Sequence, residues 1–269
     1  TRFPLRILLV EDNPTNQLVT VQFLAKLGYG TDVAANGQEA LEMVVRHPYD
    51  LIFMDCRMPI MDGFEAARRI RQSLPSTRWP AIVALTASAF EDDRAKCLAA
   101  GMDDVLAKPV ELDVLQRALA KWGCVGGLEG AAPDVVDRPP TGASAGGPVD
   151  VAVLLQGFAG MERTLVSGVG SFLSDTSDLL RDIHNALETR DCVRLCDAAH
   201  ALAGTAAMFR AASIVSLCCD IERLGQEGRL DRAGNRYLTL EVEVERAREQ
   251  LALLKVHCQT VASENPVRL

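Results

Sequence analysis

The sequence predicts an α/β domain built on a doubly wound, five-stranded parallel sheet, followed by an all-α domain. Three observations carry this. Short apolar runs alternate with helical segments through residues 5–120. Gly and Pro then crowd residues 123–148 and end that pattern. From residue 150 onward only helical spacing recurs. Strict β-α alternation builds a parallel sheet with helices on both faces, whereas consecutive amphipathic helices with short breaks build a bundle.

LRILLV (5–10) is a continuous apolar run, as expected of a strand buried on both faces. A helix begins at Pro14, a residue suited to a first turn, and runs to Leu27 before Gly28. A second strand covers 31–35, after which Asn36 N-caps a helix reaching Arg46. DLIFM (50–54), AIVAL (81–85) and DVLA (104–107) supply three more strands, with helices at 63–73, 88–100 and 111–120. The Gly/Pro-rich stretch that follows can hold neither a helix nor a central strand and reads as a flexible tether. Helices are then predicted at 151–158, 161–188, 191–209, 211–226 and 230–256, a four-helix bundle with an extra N-terminal helix. The last dozen residues are expected to fray. The expected division is a first domain at 1–121, a linker at 122–149, a second domain at 150–258 and a tail at 259–269.

Composition excludes several classes. The 269 residues are 48% hydrophobic, enough for two real cores, and carry a formal net charge of −8. No basic stripe offsets that charge, which argues against a nucleic-acid partner. No apolar run reaches the ~18 residues of a membrane span, so no membrane contact is expected of this segment. The start lacks the basic flank of a signal peptide, and Thr1 lies so close to the first strand that a piece of a longer protein is expected. Eight cysteines occur without a CxxC pair, which fits reduced, packed thiols. Cys192, Cys196 and His200 share one helical face, but residues i and i+8 lie about 12 Å apart, too far to converge on a tetrahedral ion.

In a parallel sheet ligands bind at the carboxyl ends of the strands. Glu11 and Asp12 follow the first strand, Asp55 ends the third, Thr86 ends the fourth and Lys108 follows the fifth. One sheet edge therefore collects three carboxylates, a hydroxyl and an ammonium. Two carboxylates ~4 Å apart repel by about 4 kcal/mol at an effective dielectric near 20, and Lys108 balances only one. A divalent cation resolves the excess, and hard oxygen ligands favour Mg²⁺. Such a cation and Lys108 would clamp a phosphoryl group, whose transfer needs positioning and charge neutralisation. Asp55 would then be the nucleophile.

In the helical region, Leu195, Ala198, Leu202, Ala206 and Phe209 fall opposite His200 at 100° per residue, which sets the imidazole on the solvent side. Val193, Cys196, Ala203, Gly204, Ala207 and Ala211 are placed around it, a smooth face suited to docking another protein's cleft. An imidazole near neutral pH can be an uncharged nucleophile.

LLVEDNPTNQ, FMDCRMPIMDGFEA, ALTA and AKP resemble the motifs of response-regulator receiver domains, a flavodoxin-like fold. The resemblance implies that Asp55 is the phosphoacceptor. It implies that Glu11, Asp12, Asp55 and the backbone carbonyl of Arg57 bind Mg²⁺, that Thr86 and Lys108 contact the phosphoryl oxygens, and that a cis peptide bond precedes Pro109. Val105 stands where the family usually has Tyr or Phe. AAHALAGTAAMF resembles the histidine phosphotransfer (Hpt) motif, which implies that His200 is a second phosphoacceptor with Cys196, Ala203, Gly204 and Ala207 at the docking face. Ala203 replaces the motif's Lys, which removes a positive charge beside the ring, and Arg210 replaces a common Gly. The two modules in this order resemble the C-terminal part of bacterial hybrid sensor histidine kinases, without the ATP-binding kinase core. That implies a cytoplasmic phosphorelay, with the parent protein anchored in the inner membrane. A histidine kinase core would feed Asp55, Asp55 would feed His200, and His200 would feed a downstream response regulator. The alternatives are a regulatory protein-binding module, or a phosphate sink draining back through Asp55.

Overall fold

The computed structural model describes residues 5–86, 91–122 and 147–264. The chain divides into two compact units, Thr1–Val136 and Asp137–Leu269. The expected tether falls almost wholly on 123–146, outside the described residues.

In the first unit five parallel strands, β1 (Ile7–Val10), β2 (Thr31–Ala34), β3 (Leu51–Asp55), β4 (Ala81–Thr86) and β5 (Asp104–Ala107), lie in the order β2-β1-β3-β4-β5. Five helices connect or follow them: α1 (Pro14–Lys26), α2 (Gly37–Arg46), α3 (Gly63–Ser73), α4 (Glu91–Ala99) and α5 (Leu112–Trp122). Every residue of β1 and β3 is buried, which is why those strands are apolar throughout rather than alternating. The strand order reverses between β1 and β3, and a crevice opens at such a switch point. The helix starts are built locally. Asn13 caps α1 by accepting from the N–H groups of Thr15 and Asn16, and Asn36 caps α2 through the N–H of Glu39. A short 3₁₀ turn at Ser76–Arg78, not foreseen from the sequence, separates α3 from β4.

The second unit contains α6 (Val151–Gly157), α7 (Glu162–Glu188), α8 (Cys192–Met208), α9 (Ala212–Gln226) and α10 (Leu230–Glu264). Helices α7 to α10 close a ring of four, α8 lying between α7 and α9, and α10 touching both α7 and α9. Phe172 and Phe209 meet edge to face at 4.9 Å between centroids, at one end of a core that also holds Leu195, Leu202, Ile221 and Val244. Two boundaries differ from expectation. Helix α10 runs to Glu264, past the point where a tail was expected at 259, and Leu251, Leu254 and Cys258 carry its buried stripe up to that point. Val149, placed in the tether, is buried and donates its N–H to Gln250 Oε1 at 3.1 Å.

Helices α7 and α8 both end on a residue with positive φ, Arg190 (54°) and Arg210 (57°). This is the left-handed cap position that glycine fills without steric cost, and it accounts for the Gly common at the position of Arg210. The backbone N–H of Arg210 still closes α8 on Ala207 O at 3.0 Å. Arg210→Gly should therefore stabilise the bundle by about 0.5–1 kcal/mol, the relief of left-handed strain less the added chain entropy of glycine. Urea denaturation of the full chain measures this, and a lower midpoint would show that the arginine side chain outweighs the strain.

Candidate functional site

The β1–β3 crevice brings the predicted acids together. Glu11, Asp12 and Asp55 each offer a carboxylate oxygen within 4.8 Å of the other two. Asp55 is 3% exposed and Glu11 is similarly buried, while Asp12 is half-buried. Lys108, carried by the loop after β5, spans them: its Nζ donates to Glu11 Oε2 at 2.7 Å and to Asp55 Oδ2 at 2.6 Å. The Lys108–Pro109 bond is cis, as expected. The backbone N–H of Lys108 donates to Thr86 O at 2.7 Å, tying the end of β4 to the same corner. The backbone N–H of Arg57 donates to Asp55 Oδ1 at 3.2 Å, and the Arg57 side chain is exposed.

The electrostatics follow from burial. Desolvation pushes Glu11 up to about 7, helped by the Asp55 charge and opposed by Lys108. Burial alone would lower the Lys108 ammonium, but the facing Glu11 and Asp55 carboxylates outweigh it and raise its pKa. Two residues that sequence reasoning missed complete the pocket. Asn16 Nδ2 donates to Glu11 Oε1 at 2.8 Å, orienting that carboxylate from the first turn of α1. Gly63 opens α3 with its backbone pressed on β3, where a Cβ would lie 2.0 Å from Asp55 O. The Asp-Gly of the MDG motif thus supplies a cap and a close approach. Val105 is buried on β5, part of the core rather than the rim.

His200 is held differently. Its side chain is 17% exposed, so the ring is half-buried and does not stand out on an open face. Nδ1 lies 3.3 Å from Glu222 Oε2 on α9. A carboxylate only accepts, so Nδ1 carries a proton, and in the neutral ring the lone pair is on Nε2. Glu222 was not foreseen. It flanks the apolar stripe Ile214, Cys218, Ile221 and Gly225, an ordinary place for a charged residue, and the sequence does not say which helix that flank faces.

The docking face also needs correction. Val193 is exposed, and Cys196, Gly204 and Ala207 are half-buried, but Ala203 and Ala211 are buried in the bundle. Helix α8 is covered on both flanks, by α7 and α9, so its buried stripe is wider than the single row assumed. Cys196 faces α9, donating its thiol to Glu222 O at 3.4 Å.

Comparison with known proteins agrees with both halves. The response regulator receiver domain matches residues 7–120 and the Hpt domain matches residues 168–250. The chain is a receiver domain joined to an Hpt domain. It is 46% identical over 124 residues to hybrid signal transduction histidine kinase H of Dictyostelium discoideum, covering 45% of this chain and 9% of that protein. It is 32% identical over 232 residues to the virulence sensor protein BvgS of Bordetella pertussis, covering 82% of this chain and 18% of that protein. A solved receiver domain of a sensor histidine kinase from Pseudomonas aeruginosa PAO1, with a magnesium ion coordinated in its active site cleft, is 48% identical over 45% of this chain and 98% of its own, with a TM-score of 0.42. The chain thus spans less than a fifth of either curated relative. Those relatives come from Dictyostelium as well as Bordetella, so a bacterial source does not follow from them.

Lys108 is the cation that bridges Glu11 and Asp55, at 2.7 and 2.6 Å. Lys108→Ala should destabilise the receiver by about 3 kcal/mol at neutral pH, because it leaves two buried carboxylates facing each other. The loss should shrink in mild acid, where Glu11 takes up a proton. Thermal unfolding across pH 5–8 measures both; an equal loss at every pH would show that packing, not charge, is at stake.

Proposed function

We propose that this chain is a two-component phosphorelay intermediate. It accepts a phosphoryl group from a histidine kinase core on Asp55, passes it to His200, and delivers it to the receiver of a downstream response regulator. The observation that carries this reading is the pairing of two different nucleophiles: Asp55, fixed between Lys108 and the acidic neighbours, and His200, whose Nδ1 is fixed on Glu222 and whose Nε2 is left free. In the first step an Asp55 carboxylate oxygen bonds phosphorus as the donor's N–P bond breaks. In the second, His200 Nε2 bonds phosphorus as the acyl P–O bond breaks, returning Asp55 as carboxylate. No proton need move at His200, because the ring attacks in its neutral form and Glu222 supports the positive charge that develops on it.

Three clustered hard oxygen donors fit a Mg²⁺ ion, held by Glu11, Asp12 and Asp55 with the Arg57 carbonyl as a further ligand. When bound, the ion would neutralise charge on the transferring phosphoryl oxygens. Thr86 and Lys108 would contact the same oxygens; Lys108 can leave its carboxylates for them, since its stem is flexible and its ammonium has three donors. We place the receiver at 1–121 and the Hpt domain at 149–264, the expected bounds of 150–258 being widened by Val149 and by the length of α10. No helix among the described residues is long and apolar enough to cross a membrane, and we place the segment in the cytoplasm with the kinase core that would feed it.

Acceptor tracking with a radiolabelled phosphohistidine donor tests the relay. Asp55→Asn should lose all label, and His200→Gln should stall it on Asp55 as an acid-stable, base-labile phosphate. Label on His200 in the Asp55→Asn variant would overturn the order proposed. Glu222→Ala should slow transfer onto His200 about tenfold without changing Asp55 labelling, since it frees the wrong tautomer to form. Glu222→Gln, which still accepts through its amide oxygen, should recover most of the rate; equal rates in Ala and Gln variants would reduce Glu222 to a packing residue.

A further inference from the structure

The first turn of α1 carries a buried amide that the helix itself does not use. Asn16 stands three residues after the cap Asn13, the position from which a side chain often reaches back to close a helix start. Here the side chain turns to Glu11 instead. Its Nδ2 donates to Glu11 Oε1 at 2.8 Å, and the neighbouring Gln17 Nε2 donates to the Glu11 backbone carbonyl at 2.6 Å. Asn16 is 3% exposed, and its Oδ1 has no hydrogen-bond partner among the described residues. A buried amide oxygen without a donor is costly, and nearly every such atom in a folded protein finds one.

Glu11 fixes where that oxygen lies. The reversed amide would set an oxygen 2.8 Å from a carboxylate oxygen, acceptor against acceptor. The oxygen and nitrogen of one amide are about 2.3 Å apart, so Oδ1 is within about 5 Å of Glu11 Oε1. It therefore borders the cluster in which Glu11, Asp12 and Asp55 offer carboxylate oxygens within 4.8 Å of one another. Lys108 does not supply the donor, since its ammonium is directed at Glu11 Oε2 and Asp55 Oδ2. The acidic cluster thus has a neutral acceptor at its edge, on a side chain whose donor is already committed to one of the acids.

A small divalent cation brings such a donor with it. Mg²⁺ dehydrates reluctantly and keeps several waters when a few carboxylates hold it, and those waters can only donate to the groups around them. We propose that Asn16 is a positioning residue for the divalent ion: its Nδ2 aims the Glu11 carboxylate, and its Oδ1 accepts a hydrogen bond from a water that the ion retains. An amide suits both tasks, because it carries a donor and an acceptor in one rigid plane and adds no charge to an already acidic site. Such groups around a metal's ligands are a large part of its affinity. The inference rests on the Mg²⁺ reading above and adds to it a residue that is not itself a ligand.

Isothermal titration of the full chain with Mg²⁺ or Ca²⁺, without any phosphodonor, tests this. Asn16→Ala should weaken Mg²⁺ binding about tenfold. Ca²⁺ takes more protein oxygens and sheds more water, so its affinity should fall by no more than about twofold. Asn16→Asp restores an acceptor at the same place but cannot donate to Glu11. Its added charge strengthens both ions alike, so the preference for Mg²⁺ over Ca²⁺ should return to within about twofold of the parent. Circular dichroism melts in EDTA check that each variant is folded, and Asn16→Leu, of similar volume and without polar atoms, gives the same comparison should the alanine variant not hold its fold. Unchanged Mg²⁺ affinity in the alanine or leucine variant overturns the inference. Equal losses for both ions, or a preference that Asn16→Asp does not restore, overturn the water contact and leave only the hydrogen bond to Glu11. A parent chain that binds no Mg²⁺ removes the metal reading itself, and this inference with it.

Discussion

The receiver depends on one buried ammonium. Glu11 and Asp55 end neighbouring strands of a parallel sheet, so the topology that creates the crevice also forces their charges together. Without a cation, the same strand packing that buries β1 and β3 would bury two like charges. Lys108 resolves this from the far side of the sheet, with its loop tied to Thr86 by the backbone. The arrangement is stable yet easily exchanged, because an ammonium on a four-carbon stem can turn from carboxylates to phosphoryl oxygens while staying buried. The pocket that holds the fold's electrostatics in balance is thus the pocket where the proposed phosphoryl group would change that balance.

Much of this could be read before any coordinates. Asn36 as a cap, Pro14 as a first-turn residue and the fully apolar LLV and IFM runs are local signals, and local signals survive folding. The convergence of Glu11, Asp12 and Asp55 was legible too, since a parallel sheet sends every strand's carboxyl end to one edge and the residue order does the rest. What was illegible depended on how far one helix is covered by its neighbours. A helical wheel assigns a single inward direction, but α8 has α7 on one flank and α9 on the other, so Ala203 and Ala211 went inside. Glu222 shares that cause: its partner is set by the rotation of α9 about its own axis, which no spacing in the α9 sequence specifies. Asn16 is a third kind of case, because its place in α1 reads as an ordinary first-turn position and only the fold turns its amide to Glu11.

The small residues of α8 have two consequences that the sequence merges. At one level of the α8–α9 seam, a Cβ on Gly225 would come within 2.9 Å of Cys196 Sγ. Only small groups allow this approach. One turn further along α8, the same closeness brings the Glu222 carboxylate within 3.3 Å of His200 Nδ1. A bulky residue at 196 or 225 would push the helices apart and take the carboxylate from the ring. Cys196 therefore acts on His200 through helix spacing rather than through docking, and the smooth face left to a partner is confined to the flank of Gly204, Ala207 and Val193.

The burial of Ala203 also changes the meaning of the lysine absent from the Hpt motif. At 1% exposure that position faces the bundle interior, so a lysine there would have to run its stem between helices before its ammonium reached water. Its charge would arrive near the ring only at the end of that path. In this chain the ionisable partner beside His200 is instead an acid, Glu222, which faces Nδ1 at 3.3 Å. The two acceptors are consequently tuned by opposite means. Asp55 is a carboxylate made tolerable by a buried cation, and the His200 ring is oriented by a half-buried acid. In the proposed relay a phosphoryl group passing from the first to the second would leave a pocket balanced by a cation for a ring whose partner is an acid, a site suited to handing the group on rather than retaining it.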